Sequence, residues 1–231
     1  MSTVGSYRGP NIVTRGLVLH LDAASPNSYY GPNGGTVWKD VSGNGNDGTL
    51  VNGTVFSDDT FLLDGTDNYV NCGDIFPSGS QNITLSIWIY RRDEVVGDYI
   101  LSKGTASDGA AGSTFYIVNG TTYVRFTATD ATPTRSTNVE HYGIVANQWY
   151  NFTYTYDGTA IIGYRDGENP VTNTSISGPL QYVSQPILIG THKYGGRFPQ
   201  VDIGSFSLYN RALSAQEVLQ NYNATKDRFG L

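Results

Sequence analysis

A strand that runs straight into a capped helix closes this chain, and nothing upstream reads as a second helix. Ser205 to Tyr209 alternates polar and apolar residues, as a half-buried strand does. Ser214-Ala-Gln-Glu217 then forms a capping box, in which the Ser214 hydroxyl accepts from the Glu217 N–H and the Glu217 carboxylate accepts from the Ser214 N–H. Leu213 and Val218 occupy the hydrophobic staple positions around it. Everything before this point reads as short strands and turns. The expected molecule is therefore an all-β body with one short C-terminal helix.

Leu17-Val-Leu-His-Leu-Asp22 is the first strand, with Leu17, Leu19 and Leu21 on one face. Ile83 to Tyr90 is the clearest one. Ile83, Leu85, Ile87 and Ile89 share one face, and Thr84, Ser86, Trp88 and Tyr90 share the other. Trp149–Tyr156 and Ala160–Arg165 flank Asp157-Gly158, a strong hairpin signal, and Asp166-Gly167 ends the second of them. Further strands fall near Thr60–Asp64, Tyr69–Cys72, Tyr99–Lys103, Thr114–Val118, Tyr123–Thr129, Ile187–Gly190 and Val201–Tyr209. This spacing is that of a sandwich or barrel. Glycine (28 residues) and tyrosine (17) are abundant, which suits tight turns between pleated strands. No linker or repeat interrupts the chain, so residues 1–15 read as an N-terminal arm and 16–231 as one domain.

The net charge of −6 comes without a basic stripe, which argues against nucleic acid as a partner. No apolar run is long enough to insert in a membrane. Cys72 is the single cysteine, so no intrachain disulfide forms and the thiol is expected in the core. Met1 to Pro10 lacks the apolar core of a secretory signal, from which synthesis in a cytoplasm is expected.

Two groups of residues are candidates for binding. Asp40, Ser42, Asn44 and Asn46 present side-chain oxygens two residues apart, with Asp47 beside them and Gly45 at the turn. This imitates the first half of a calcium-wrapping loop, but the position of its bidentate glutamate is Val51. A structural calcium ion there would draw further oxygens from Asp22 or Asp202. The same residues also make a turn cluster in which Asn and Asp bond their own backbone. The second group is aromatic, since sugar rings stack on flat apolar faces with a polar handle. Trp88 and Tyr90, like Tyr150, Tyr154, Tyr156 and Tyr164, lie on strands, where such residues commonly form core or cross-strand pairs. Tyr29 and Tyr30 lie in a loop, a better place to meet a ligand.

Four segments in order carry a resemblance: Gly16 to Asp22, Trp38 to Leu50, Leu63 to Val70, and Leu208-Tyr-Asn-Arg-Ala-Leu-Ser214. Over about residues 16 to 226 the chain resembles a laminin-G-like domain of the concanavalin A-like lectin/glucanase superfamily. The resemblance implies a jelly-roll sandwich of two antiparallel sheets. Members often carry an acidic pair just before the final strand. Ile203-Gly-Ser-Phe206 stands at that place here, with Asp202 offset, so a metal site built from such a pair is in doubt. The closing Asn223 to Leu231 is similar to versions in tailed bacteriophages, where they are commonly structural or host-contacting virion proteins.

Retaining glycoside hydrolases of the superfamily need two carboxylates about 5–5.5 Å apart. No strand here carries acids on one face. Asp93-Glu94 point to opposite faces, and Glu140 before His141 has no second acid nearby. The resulting expectation is a non-enzymatic virion structural or decoration protein. It would contact capsid or tail proteins in a homo-oligomeric or symmetric array and expose a lectin-like jelly roll to cell-surface glycans. A freestanding carbohydrate-binding lectin is the alternative, and a glucanase-like hydrolase comes third.

Overall fold

The computed structural model describes residues 11–31, 35–76, 82–92, 98–104, 113–120, 123–130, 136–192 and 195–231. The strands in chain order are β1 (Leu17–Asp22), β2 (Val37–Trp38), β3 (Gly48–Val51), β4 (Val55–Ser57), β5 (Thr60–Asp64), β6 (Tyr69–Asn71), β7 (Ile83–Arg91) and β8 (Asp98–Gly104). They continue as β9 (Ser113–Asn119), β10 (Tyr123–Thr129), β11 (Ser136–Tyr142), β12 (Gln148–Tyr156), β13 (Ile161–Arg165), β14 (Glu168–Asn173), β15 (Ile187–Ile189) and β16 (Gln200–Tyr209). Helix α1 (Ala215–Thr225) and a 3-10 turn over Lys226–Phe229 follow.

These strands form two antiparallel sheets. The first has the order β14-β13-β12-β7-β16-β5-β4, with β1 also paired to β16, and the second the order β11-β10-β9-β8-β15-β6-β3-β2. The fold is thus a jelly-roll sandwich of two antiparallel sheets with one C-terminal helix. Alternation along β7 decides which face is inside. Ile83, Leu85, Ile87 and Ile89 are buried, and their cross-strand neighbours on β12 are Tyr156, Tyr154, Phe152 and Tyr150. The second sheet meets them with Phe115, Ile117 and Phe126, and the Phe126 and Tyr154 rings stack at 4.6 Å. Trp38 on β2 and Phe61 on β5 close the other end of the core at 4.5 Å. Burying each such side chain contributes about 1.5–3 kcal/mol, which is what holds two separately hydrogen-bonded sheets together.

The capping box forms as the sequence requires, with Ser214 Oγ accepting from Glu217 N at 3.3 Å and Glu217 Oε2 accepting from Ser214 N at 2.9 Å. Leu213 and Val218 pack with Tyr164 and Tyr209 in a small cluster between helix and sheet. Residues 1–10 of the expected arm lie outside the described residues. Residues 11–15 run along α1, where Val13 N donates to Asn221 Oδ1 at 2.8 Å and Tyr209 Oη donates to Val13 O at 2.9 Å. β1 lies antiparallel to β16, and their side chains also meet, His20 Nδ1 standing 2.8 Å from Ser207 Oγ. Asp166-Gly167 ends β13 as expected and turns the chain into the edge strand β14. Both of its residues are left-handed, with φ of 55° and 75°.

Candidate functional site

The outward face of the first sheet carries the residues that the inner face excludes. Trp88 and Tyr90 point outward from β7, directly opposite Asn151 and Trp149 on β12 and Ser205 and Asp202 on β16. The C-terminal segment covers one half of this face. Trp88 Nε1 donates to Thr225 Oγ1 at 2.9 Å, and its ring is stacked by Tyr222 at 5.6 Å and Phe229 at 4.2 Å. Only 2% of Trp88 remains exposed. The ligand role expected for Trp88 is therefore corrected to packing. Strand alternation identified its face but not what lies on it.

Tyr90 stands just beyond this cover, half-buried, with the Trp149 ring 5.5 Å away and tilted by 56°. Arg92 grips Asp202 through two bonds, Nε to Oδ1 at 2.5 Å and Nη2 to Oδ2 at 2.7 Å, and its guanidinium lies 5.8 Å from the Tyr90 ring centre. Burial pushes the Asp202 carboxyl above the ordinary carboxylate value, and the Arg92 pair opposes that rise. The turn between β4 and β5 forms the opposite wall. There Asp58 and Asp59 both hold left-handed backbone, at φ 50° and 59°. Tyr90, Trp149, Asp202, Arg92, Asp58 and Thr60 enclose a cleft of about 260 Å³.

Two further clefts adjoin it. One lies between the same turn and the C-terminus, lined by Asp58, Asp59, Trp149, Arg228 and Phe229. The other is lined by Pro26, Tyr29, Tyr30, Phe56 and Asp59. The first two share Asp58, Thr60 and Trp149, and the second and third share Ala24 and Asp59. Together they make a groove around the β4–β5 turn. Of the aromatic candidates, Tyr29, Tyr30 and Tyr90 thus come together on it. Tyr30 is 76% exposed, whereas Tyr29 is buried against Phe56 and Phe61 and donates its hydroxyl to Gly35 O at 2.9 Å. Tyr150, Tyr154, Tyr156 and Tyr164 are buried packing residues.

The polar loop after β2 is tied together by hydrogen bonds of its own side chains. Asp40 Oδ1 accepts backbone N–H groups of His20 (3.0 Å) and Ser42 (2.8 Å), and Oδ2 accepts from Asn46 N (2.9 Å) and the Ser42 hydroxyl (2.8 Å). Burial alone would raise this carboxyl, but these hydrogen bonds hold it below its ordinary value. Asn44 and Asn46 point their amide nitrogens at Val18 O, and Asp47 accepts from Asp40 N and Lys39 Nζ. Asp22 receives Arg228 Nη1 on both oxygens at 2.8 Å, so it anchors the 3-10 turn. Each Asp40 oxygen thus already accepts two hydrogen bonds, which leaves it little capacity to ligate a calcium ion as well. Among the described residues, no group of three acidic, histidine or cysteine side chains converges on a point that could hold a metal. The alternate spacing of Asp40, Asn44 and Asn46 thus corresponds to a turn cluster that ties the loop to β1.

Asp93 and Glu94 lie outside the described residues. Glu140 is occupied by Arg125 at 2.5 Å and by the Tyr142 hydroxyl. Cys72 is buried, and burial pushes its thiol up to about 12, away from nucleophilic use. The sequence reading missed Trp149, Arg92, Asp58, Asp59 and Phe229 as groove residues. The consecutive acids between two short strands were the legible signal. The convergence of the others depends on register.

Residues 64–219 match the Laminin_G_3 model of the concanavalin A-like lectin/glucanases superfamily. The chain belongs to that superfamily. Tyr90, Arg92, Trp149 and Asp202 of this laminin-G-like domain fall inside the matched residues, while Asp58, Asp59, Arg228 and Phe229 fall outside it. Most of the groove is therefore built by flanking sequence. No curated protein matches the chain significantly. Among solved structures, the domain resembles the binding domain of Paraclostridial Mosquitocidal Protein 1 (17% identity, TM-score 0.69, 91% of this chain and 52% of that one). It also resembles Trypanosoma rangeli sialidase in complex with sialic acid (18%, 0.69, 95% and 34%). A third likeness is to the botulinum neurotoxin serotype D binding domain (13%, 0.67, 91% and 52%). The chain spans about half or a third of the length of these proteins, and at such identities the likeness is one of fold.

Proposed function

We propose that this lectin-like domain binds carbohydrate, without turning it over, in the groove around the β4–β5 turn. The observation that carries the reading is the Tyr90–Trp149 pair, open on one side, with carboxylates and a guanidinium at its rim. The C–H face of a sugar ring packs on such rings while its hydroxyls find charged partners at the edge. The superfamily supports this reading, as do neighbours described as binding domains and one described in complex with sialic acid. The test is a glycan array followed by titration calorimetry on the purified domain. W149A is expected to lose binding while still unfolding cooperatively, at a melting temperature lowered by the lost Phe229 contact. An array without a single binder, with and without calcium, overturns the reading. Release of reducing sugar from a polysaccharide overturns its non-enzymatic half.

We also place the domain on a virus particle, repeated in a symmetric array against capsid or tail proteins. That placement is supported by the closing Asn223–Leu231 sequence alone. Quantitative mass spectrometry of purified particles tests it. Stoichiometric copy number supports it, and absence from particles removes it.

A further inference from the structure

The groove is lined by more carboxylates than cations. Asp58, Asp59 and Asp202 line it, and so do Arg92 and Arg228. Both guanidiniums are already committed to carboxylates, Arg92 to Asp202 inside the groove and Arg228 to Asp22 beside it. Among the described residues Asp58 accepts the hydroxyl of its neighbour Ser57 at 3.1 Å, and Asp58 and Asp59 are both exposed at the tip of the turn. The groove with its anchor thus holds four carboxylates against two guanidiniums. No lysine is among its described lining residues.

Resting on the proposal that the groove takes sugar, we infer that its ligand is an uncharged saccharide presenting adjacent free hydroxyls, and that sialic-acid and uronic-acid chains are rejected. An ionised carboxylate is acceptor-only, so two neighbouring hydroxyls can donate to its two oxygens as a pair. An acidic sugar brings a carboxylate of its own. It would meet the carboxylates of Asp58 and Asp59, and among the described lining residues no uncommitted cation is there to take it. Like charges brought within a few ångströms repel by about 1 kcal/mol per pair even in water, which over Asp58 and Asp59 is enough for a tenfold preference. Rejection here comes from a built-in repulsive element, and the Tyr90–Trp149 pair supplies attraction that is common to both sugar classes.

The experiment is an array that carries each neutral galactose- or glucose-terminated oligosaccharide beside its sialylated or uronic-acid counterpart. It is probed with wild type, W149A and the double variant D58N/D59N. Asparagine keeps the shape of aspartate and tolerates left-handed backbone, so the turn is retained, and melting temperature checks it. The expected result is binding of neutral members, with acidic counterparts at least about tenfold weaker, a gap of about 1.4 kcal/mol. In D58N/D59N the gap narrows to within about threefold, and raising salt narrows it in wild type. Equal or tighter binding of acidic members overturns this inference and leaves the sugar-binding groove standing, provided W149A abolishes it. A gap unchanged in D58N/D59N does the same. Binding of neither class by wild type overturns the proposed function and this inference with it.

Discussion

Phe229 lies almost flat on Trp88, their ring centres 4.2 Å apart and their planes 22° from parallel. Phe229 also meets Trp149 at 4.5 Å, so one residue near the end of the chain joins the packed half of the sheet face to the open half. Its seat is Gly204, where a Cβ would come within 2.5 Å of the Phe229 ring. F229A is expected to cost about 2 kcal/mol in urea unfolding, below the range for a fully buried phenylalanine because Phe229 is partly exposed. G204A should cost a similar amount by evicting the ring. The G204A/F229A double variant should cost clearly less than the sum, since the two changes act on one contact. Strict additivity would show that the contact does not hold the turn.

Glu217 links the helix cap to the chain before it. Arg211 grips its carboxylate at 2.7 and 2.8 Å, and together with the Ser214 N–H this pulls its pKa from 4.5 to about 2. The unfolded state binds this proton first as pH falls, so the stabilisation is complete above about pH 5 and is lost progressively down to about pH 2. E217Q should flatten unfolding free energy against pH across that window. An unchanged acid slope would rule out this carboxylate as its source.

His141 points into the core beside Phe152 and Tyr154, and its Nε2 finds no hydrogen-bond partner among the described residues. Burial, reinforced by Arg165, lowers its pKa to about 4. The folded domain therefore resists a proton that the unfolded chain accepts near pH 6.5, and stability falls as pH drops from there toward 4. An NMR titration of the imidazole should show no protonation down to about pH 5. A midpoint near 6.5 would place the ring in water.

Asp40 ties three backbone N–H groups of two segments to one carboxylate. D40A leaves those donors without their acceptor and is expected to cost about 2–3 kcal/mol. Adding calcium, or removing it with EDTA, should leave the wild-type melting temperature where it was. A rise with calcium that D40A abolishes would reinstate the loop as a metal site.

The fold was legible because its strongest signals are local. Alternation in Ile83–Tyr90 marks an inside and an outside, and Ser214 with Glu217 marks a helix start; both hold in the structure. The strands that escaped notice lack such signals. β14 is Glu-Asn-Pro-Val-Thr-Asn at an exposed sheet edge, and β11 is largely polar, so neither carries an apolar face to read. The site was less legible. Trp88 and Tyr90 are equivalent in the sequence pattern, yet α1 and the turn after it cover only Trp88. Asp202 and Arg92 are 110 residues apart and meet only through the β7–β16 register.

That same long-range pairing bears on how the molecule comes into being. His20 and Ser207 are 187 residues apart in the chain and side by side in the sheet. During synthesis the first strand is made long before the last, and loop-closure entropy delays such a contact even once both exist. Until β16 arrives, β1 has an open edge and no sheet to belong to. The domain should therefore fold late and slowly, with its earliest-made strand among the last to find its place.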